Sequence, residues 1–173
     1  MNKIEGIVHK YGNDINTDYI IPSHRKRDIT EINILVNYAM EDIDPEFANK
    51  VNPGDIIAAG ENFGCGSAME VAVDVLIASG IRAILAKSFA RLFYRNAVNK
   101  GLLVIGCDTE MIDDKDCVSI DTDRKGKIKL INKENGKIIE ASIIPVFILE
   151  LLNHGGIINY VHKYPMLYKN ELS

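Results

Sequence analysis

Three short apolar runs alternate with two stretches of helical character in the middle of this chain. The runs are Ile56-Ile57-Ala58-Ala59, Ile81 to Ala86, and Leu102 to Ile105. Val71 to Ala78 reads as one helix, closed by Gly80, and Phe89 to Asn99 as a second, stopped near Gly101. A glycine just past a helix takes the left-handed conformation that ends it. Strand-helix-strand-helix-strand order predicts parallel pairing through right-handed crossovers. Few folds accept such a unit, and those that do place ligands beyond the carboxyl ends of the strands.

Around that unit the sequence reads differently. Residues 3 to 9 form a first strand, followed by the turn Tyr11-Gly12-Asn13-Asp14. Tyr19-Ile20-Ile21-Pro22 reads as a brief strand ended by proline, and Ser23 to Asp28 as an exposed polar loop. Thr30 caps a helix running to about Met40, although Ile32, Ile34 and Val36 give it some strand character. Cys117 to Ile120, Lys127 to Ile131 and Lys137 to Glu140 are short strands between Asp-, Asn- and Gly-rich turns. Ile148 to Asn153 is a short helix ending at Gly155-Gly156, and the stretch after Tyr160 is a polar, partly mobile tail. With 173 residues the chain can build one domain with a real core, residues 1–173 with the core about 3–164. The class is α/β, a parallel core sheet with additional short strands.

Charge and cysteine usage exclude several functions. The formal charge is −4 with both signs mixed, so there is no basic stripe for a nucleic-acid backbone. No apolar run approaches the ~20 residues of a membrane span, and Met1 to Glu5 lacks the apolar core of a signal peptide. Cys65, Cys107 and Cys117 are odd in number and form no Cys-x-x-Cys pair, which fits a reducing cytoplasm. His9, His24, His154 and His162 form no ligand-spaced cluster, so neither zinc nor an iron-sulfur cluster is expected on this chain.

The chemistry concentrates in Glu61-Asn62-Phe63-Gly64-Cys65-Gly66-Ser67-Ala68-Met69-Glu70, which leads into the first helix of the unit. Glycines there allow positive φ and close backbone approach. Free amides at a helix start attract carboxylate or phosphate. The pattern is neither a P-loop nor a dinucleotide fingerprint. Ser67 and Glu70 match a capping box, which accounts for Glu70 without any function. A buried structural cysteine is the simpler reading of Cys65, against a thiolate near the amides. Lys87 and Arg91 flank the start of the second helix, either as solvated charges or as ligand contacts at the end of a strand. Arg25-Lys26-Arg27 reads as surface charge or as a loop gripping an anion. Asp14, Asn16, Thr17 and Asp18 are turn formers, and an aspartate among them can orient a basic group.

Taken together, Gly12 to Asp18 with Ile20-Ile21-Pro22, Asn62 to Ser67, Ala86 to Arg91 with Asn96, Gly101-Leu102 and Gly155-Gly156 resemble the small subunits of 3-isopropylmalate dehydratase. Those subunits are free-standing counterparts of the swivelling domain of aconitase. The likeness spans roughly residues 3 to 164. It implies a three-layer β/β/α swivelling domain, a large-subunit partner carrying a [4Fe-4S] cluster, and a small hydroxy-dicarboxylate held between the two chains. In the reaction so implied, water is removed and returned with the hydroxyl moved, while iron polarises the hydroxyl and a carboxylate. Ser67 stands where the family has its base, with Asp18 as the second catalytic candidate. Gly66, Ala68, Met69, Arg25, Arg27, Lys87 and Arg91 are the implied substrate contacts. The resemblance leaves room for self-association of the isolated chain.

Two departures bear on substrate. The family segment Gly-Ser-Ser-Arg-Glu-His reads Gly66-Ser67-Ala68-Met69-Glu70-Val71 here, so an arginine that grips carboxylate has become Met69. The loop after Pro22, which in the family separates an isopropyl group from a carboxylate-bearing chain, reads Ser23-His24-Arg25-Lys26-Arg27. Arg25 or Arg27 is expected to supply the missing cation. Isopropylmalate is the plain substrate. A dimethylmalate, a methylmalate or homoaconitate remains an alternative, as does a non-catalytic partner that keeps the fold.

Overall fold

A computed structural model describes residues 3–164. Residues 165–173, most of the stretch read as a polar tail, lie outside the described part, as do Met1 and Asn2. Strands β1 (Ile4–Lys10), β2 (Ile56–Ala59), β3 (Ala83–Ala86), β4 (Leu103–Gly106), β5 (Cys117–Thr122), β6 (Ile128–Asn132) and β7 (Ile138–Ile139) form one sheet in the order β4-β3-β2-β1-β5-β6-β7. The helices are α1 (Thr17–Ile20), α2 (Ser23–Asp28), α3 (Ile32–Leu35), α4 (Phe47–Lys50), α5 (Glu70–Ala78), α6 (Arg91–Lys100), α7 (Val146–Asn153) and α8 (Ile157–Lys163).

Strands β1 to β4 pair in parallel, with Val8 opposite Ile56, Ile57 opposite Ile84, and Ile84 opposite Val104. From β1 outward the other way all pairs are antiparallel. The expected crossover unit is therefore present as β2-α5-β3-α6-β4. Its strands are four residues each and buried on both faces, as parallel strands covered on both sides must be.

Alternation along those strands separates two cores. Ile57, Ala59, Ile84, Ala86 and Val104 face the helices and pack with Ala72, Val73, Leu76, Phe93 and Ala97. Ile56, Ala58, Ala83, Leu85, Leu103 and Ile105 face the opposite way and pack with Val118, Ile120, Ile128, Leu130 and Ile139 of the antiparallel strands. The sheet thus curls so that its antiparallel part covers its parallel part. This gives the β/β/α layering that the resemblance implies.

Three local expectations are corrected. Tyr19-Ile20-Ile21 is not a strand: Thr17–Ile20 is a turn of helix whose cap is Asn16, its side chain accepting from the Asp18 amide. Ser23 to Asp28 is helix rather than loop, and none of its residues is buried, so hydrophobic periodicity gave no sign of it. The helix expected from Thr30 to Met40 shortens to α3 followed by a 3-10 turn, Val36–Tyr38. Met40 is left-handed (φ 60°) and donates its amide to the Ile20 carbonyl at 3.0 Å, which pulls the chain out of helix.

Candidate functional site

The site forms where the parallel strands end. Beyond β1, β2 and β3 the three chain segments continue side by side, with Asn16 bridging to Cys65 and Phe63 to Phe89 in parallel fashion. The loop after β2 is fixed by bonds from both neighbours. Gly64 donates to the Ile15 carbonyl at 2.8 Å and Thr17 donates to the Cys65 carbonyl at 2.8 Å. On the other side Phe63 donates to Ser88 O at 3.0 Å, and the Asn62 amide to Ser88 Oγ at 2.8 Å.

Gly64 and Gly66 both have positive φ, 78° and 89°. A methyl at Gly64 would enter the Phe93 ring, and one at Gly66 would meet the Asn16 side-chain amide. The glycines are therefore there because the loop lies directly on α6 on one side and on the start of α1 on the other.

Ser67 is exposed at the crest of this loop. Its carbonyl accepts from Thr17 Oγ1 at 2.9 Å. The capping box does not form. Helix α5 starts at Glu70, its cap residue is Met69, and no side chain caps it. Thr17 and the close approach of Asn16 to Gly66 fix the bend at Ser67, two residues before the cap position. Glu70 turns instead toward Lys100, 3.5 Å away on α6. Among the described residues Ser67 Oγ makes no hydrogen bond, and it precedes a helix whose first amides have no side-chain cap.

Across from Ser67 the start of α1 carries Asp18. Its Oδ1 accepts from Ser23 Oγ at 2.5 Å and lies 3.5 Å from Lys26 Nζ. The Ser23 hydrogen bond, joined by Lys26, holds the Asp18 carboxyl below the usual carboxylate range. The same Lys26 ammonium touches the sulfur of Met69. Contacts thus join Asp18, Ser23, Lys26 and Met69 on one side, and the buried Thr17 beneath Ser67 on the other.

The other predicted contacts lie around it. Gly66 and Ala68 flank Ser67 on the exposed loop. Arg25 is turned away, donating Nε to Glu41 at 2.8 Å and Nη2 at 3.1 Å, with its guanidinium 4.0 Å from the Tyr38 ring centre. Arg27 is exposed on α2. Lys87 is paired with Glu110 at 2.5 Å and lies 4.0 Å from Asp108; the Glu110 bond raises its pKa. Arg91 faces a separate, mainly apolar hollow of about 550 Å³, lined also by Phe89, Tyr94 and Phe147. Ser67 does not line that hollow.

Sequence reasoning gave Ser23 no role in the site and took Lys26 only as part of the anion-gripping run Arg25-Lys26-Arg27, because it read their segment as loop. Ser23 and Lys26 lie three residues apart, the spacing that puts two side chains on one helical face. That spacing after Pro22 was the available signal.

Among the described residues, no group of three or more His, Cys, Asp or Glu side chains converges as a metal site. The cysteines lie apart, Cys65 beside Asn16, Cys107 opposite Ala141 and Cys117 opposite Ile7. Burial raises the pKa of all three, to about 12 for Cys107, which disfavours the thiolates that iron requires. These residues do not fit an iron-sulfur cluster held by this chain.

Comparison with known proteins adds the following. The Aconitase C-terminal domain family matches residues 30–110. The chain is 43% identical over 165 residues to a 3-isopropylmalate dehydratase small subunit of Archaeoglobus fulgidus, covering 94% of this chain and 96% of that one. It is 46% identical over 160 residues to the methanogen homoaconitase small subunit of Methanocaldococcus jannaschii, covering 92% of each. A crystal structure of 3-isopropylmalate dehydratase from M. jannaschii superposes with a TM-score of 0.89 at 41% identity, covering 98% of this chain and 99% of that one.

Proposed function

The chain belongs to the family of 3-isopropylmalate dehydratase small subunits, and from that premise we propose that it is the small subunit of a two-subunit hydro-lyase that dehydrates and isomerises 3-isopropylmalate. The supporting observation is Ser67, exposed on a loop that both flanking segments hold rigid, at the carboxyl end of the parallel sheet. A serine meant only for packing or capping would be buried or bonded, and Ser67 Oγ is neither.

Ser67 takes the proton next to a substrate carboxylate. A serine oxygen is a poor base near neutral pH and needs positive surroundings. The uncapped start of α5 and the Lys26 ammonium supply them. Asp18, kept ionised by Ser23 and Lys26, holds that ammonium in place. Gly66 and Ala68 keep the backbone beside Ser67 narrow, which lets substrate approach the amides. An open surface of this kind becomes a working site only when a second chain covers it and removes water. We assign that role to a large subunit, and we place on it the [4Fe-4S] cluster that the family resemblance implies. The complex is expected to act in the cytoplasm. Met69 favours a second reading within the same chemistry, a malate with a different alkyl substituent, because it replaces a fixed cation with an apolar wall.

Anaerobic reconstitution with the cognate large subunit, followed by a panel of substituted malates, tests the proposal. Turnover of 3-isopropylmalate is expected, and Ser67→Ala should lower kcat by about 10³-fold with KM nearly unchanged. Retained activity in Ser67→Ala would remove Ser67 from the chemistry. No turnover of any hydroxy-diacid by the wild-type complex would defeat the hydro-lyase reading.

A further inference from the structure

On the hydro-lyase reading above, we infer that Lys26, rather than Arg25 or Arg27, is the residue that takes the substrate carboxylate in place of the cation absent at Met69. Residues 25, 26 and 27 follow one another on α2, about 100° apart around the helix, so only one of them can face the Ser67 loop. Arg25 is committed to Glu41 and Tyr38 on the far side. Arg27 is exposed. Lys26 is the one turned inward, its side chain 17% exposed, with its ammonium against the Met69 sulfur.

The surroundings of that ammonium are poorly matched to a purely structural role. An ammonium offers three donors. Here one meets a thioether, a weak acceptor, and another a carboxylate oxygen at the long distance of 3.5 Å. That oxygen already accepts the shorter bond from Ser23. The charge is partly desolvated and incompletely bonded, and it lies against Met69, the residue that stands where the resemblance places an arginine. A carboxylate arriving at the Ser67 loop completes its bonding. Met69 then serves as a soft support for the lysine stem. Lysine also differs from arginine in kind: it offers a point charge on a flexible stem rather than a planar fork, so it can hold one carboxylate oxygen without fixing the plane of the group.

The experiment moves the charge. In the reconstituted complex, Lys26→Met should raise KM for 3-isopropylmalate by about 10- to 100-fold, with a smaller fall in kcat. Adding Met69→Arg to that variant should restore most of the affinity, because the cation returns to the same place from the opposite wall. Arg27→Ala should change KM by no more than about threefold. An unchanged KM in Lys26→Met would overturn the assignment. So would failure of Met69→Arg to rescue when the thermal midpoint matches wild type. A readout independent of turnover separates this from the hydro-lyase reading. Acetylation of Lys26, followed by mass spectrometry in both isolated chain and complex, should slow when malate is added. Should the wild-type complex turn over nothing, the hydro-lyase reading falls, and protection of Lys26 by malate still supports the anion site. Acetylation unaffected by malate in both samples would overturn it.

Discussion

Gly64 and Gly66 stand on either side of Cys65, and each is fixed by a different neighbour. Gly64 lies against the Phe93 ring, which is packed edge-on to Phe63 with ring centres 5.2 Å apart. Gly66 lies against Asn16, the cap of α1. Alanine at Gly64 carries both the left-handed backbone penalty and a clash in a dense core. Gly64→Ala should cost about 3 kcal/mol, seen as a lower midpoint in thermal or urea unfolding. Gly66→Ala presses on the cap of α1 instead, so it should disturb the Ser67 surface more than the core. The need for glycine at both positions was legible in the sequence, since two glycines before a helix have few other purposes. The capping box between Ser67 and Glu70 was equally legible and does not form. A local motif competes with tertiary bonds, and here Thr17 and Asn16, some 50 positions away, set the course of the loop.

At the level of elements, the parallel unit was read correctly because its signals are redundant: apolar runs of strand length, helical spacing between them, and a glycine after each helix. The elements around the site were misread because their signals conflict. Ile20 and Ile21 are both buried, and two adjacent apolar residues do not distinguish a strand from one turn of helix. Helix α2 buries nothing and has no apolar face to announce it. It is anchored by polar side chains, Ser23 to Asp18 at its start and Arg25 to Glu41 further along. The same device fastens α4 to the rest of the fold. Asp44 accepts from Tyr11 at 2.8 Å and from Lys50 at 2.6 Å. Burial opposes ionisation of Asp44, but the bonds from Lys50 and Tyr11 outweigh it and hold its pKa below the usual carboxylate value. A carboxylate with a depressed folded pKa adds stability above its unfolded pKa of about 4, and that stability is lost as pH falls through the folded value. Asp44→Asn should therefore destabilise the protein by about 1–2 kcal/mol at pH 7. The difference from wild type should shrink toward zero as pH falls below the usual carboxylate range and through the lowered folded value, as urea unfolding across a pH series would show.

On the scale of the whole molecule, the two cores lie on opposite faces of the parallel strands, and the candidate site lies on neither face but beyond the strand ends. This position leaves Ser67, Gly66 and Ala68 exposed while the backbone beneath them is held by neighbours on both sides. On the function proposed above, a loop held this way and exposing Ser67 is half of an enclosed site, and another chain supplies the other half. If a large subunit covers this surface, amide exchange should slow in two segments that are separate in sequence and adjacent in space, 62–70 and 23–27. The outer strands β6 and β7, at the far edge of the sheet, should exchange as before. Hydrogen-deuterium exchange of the isolated chain and of the reconstituted complex distinguishes the outcomes. Protection confined to the β6–β7 edge would place the partner elsewhere and leave Ser67 facing water, where a serine has no means of becoming a base.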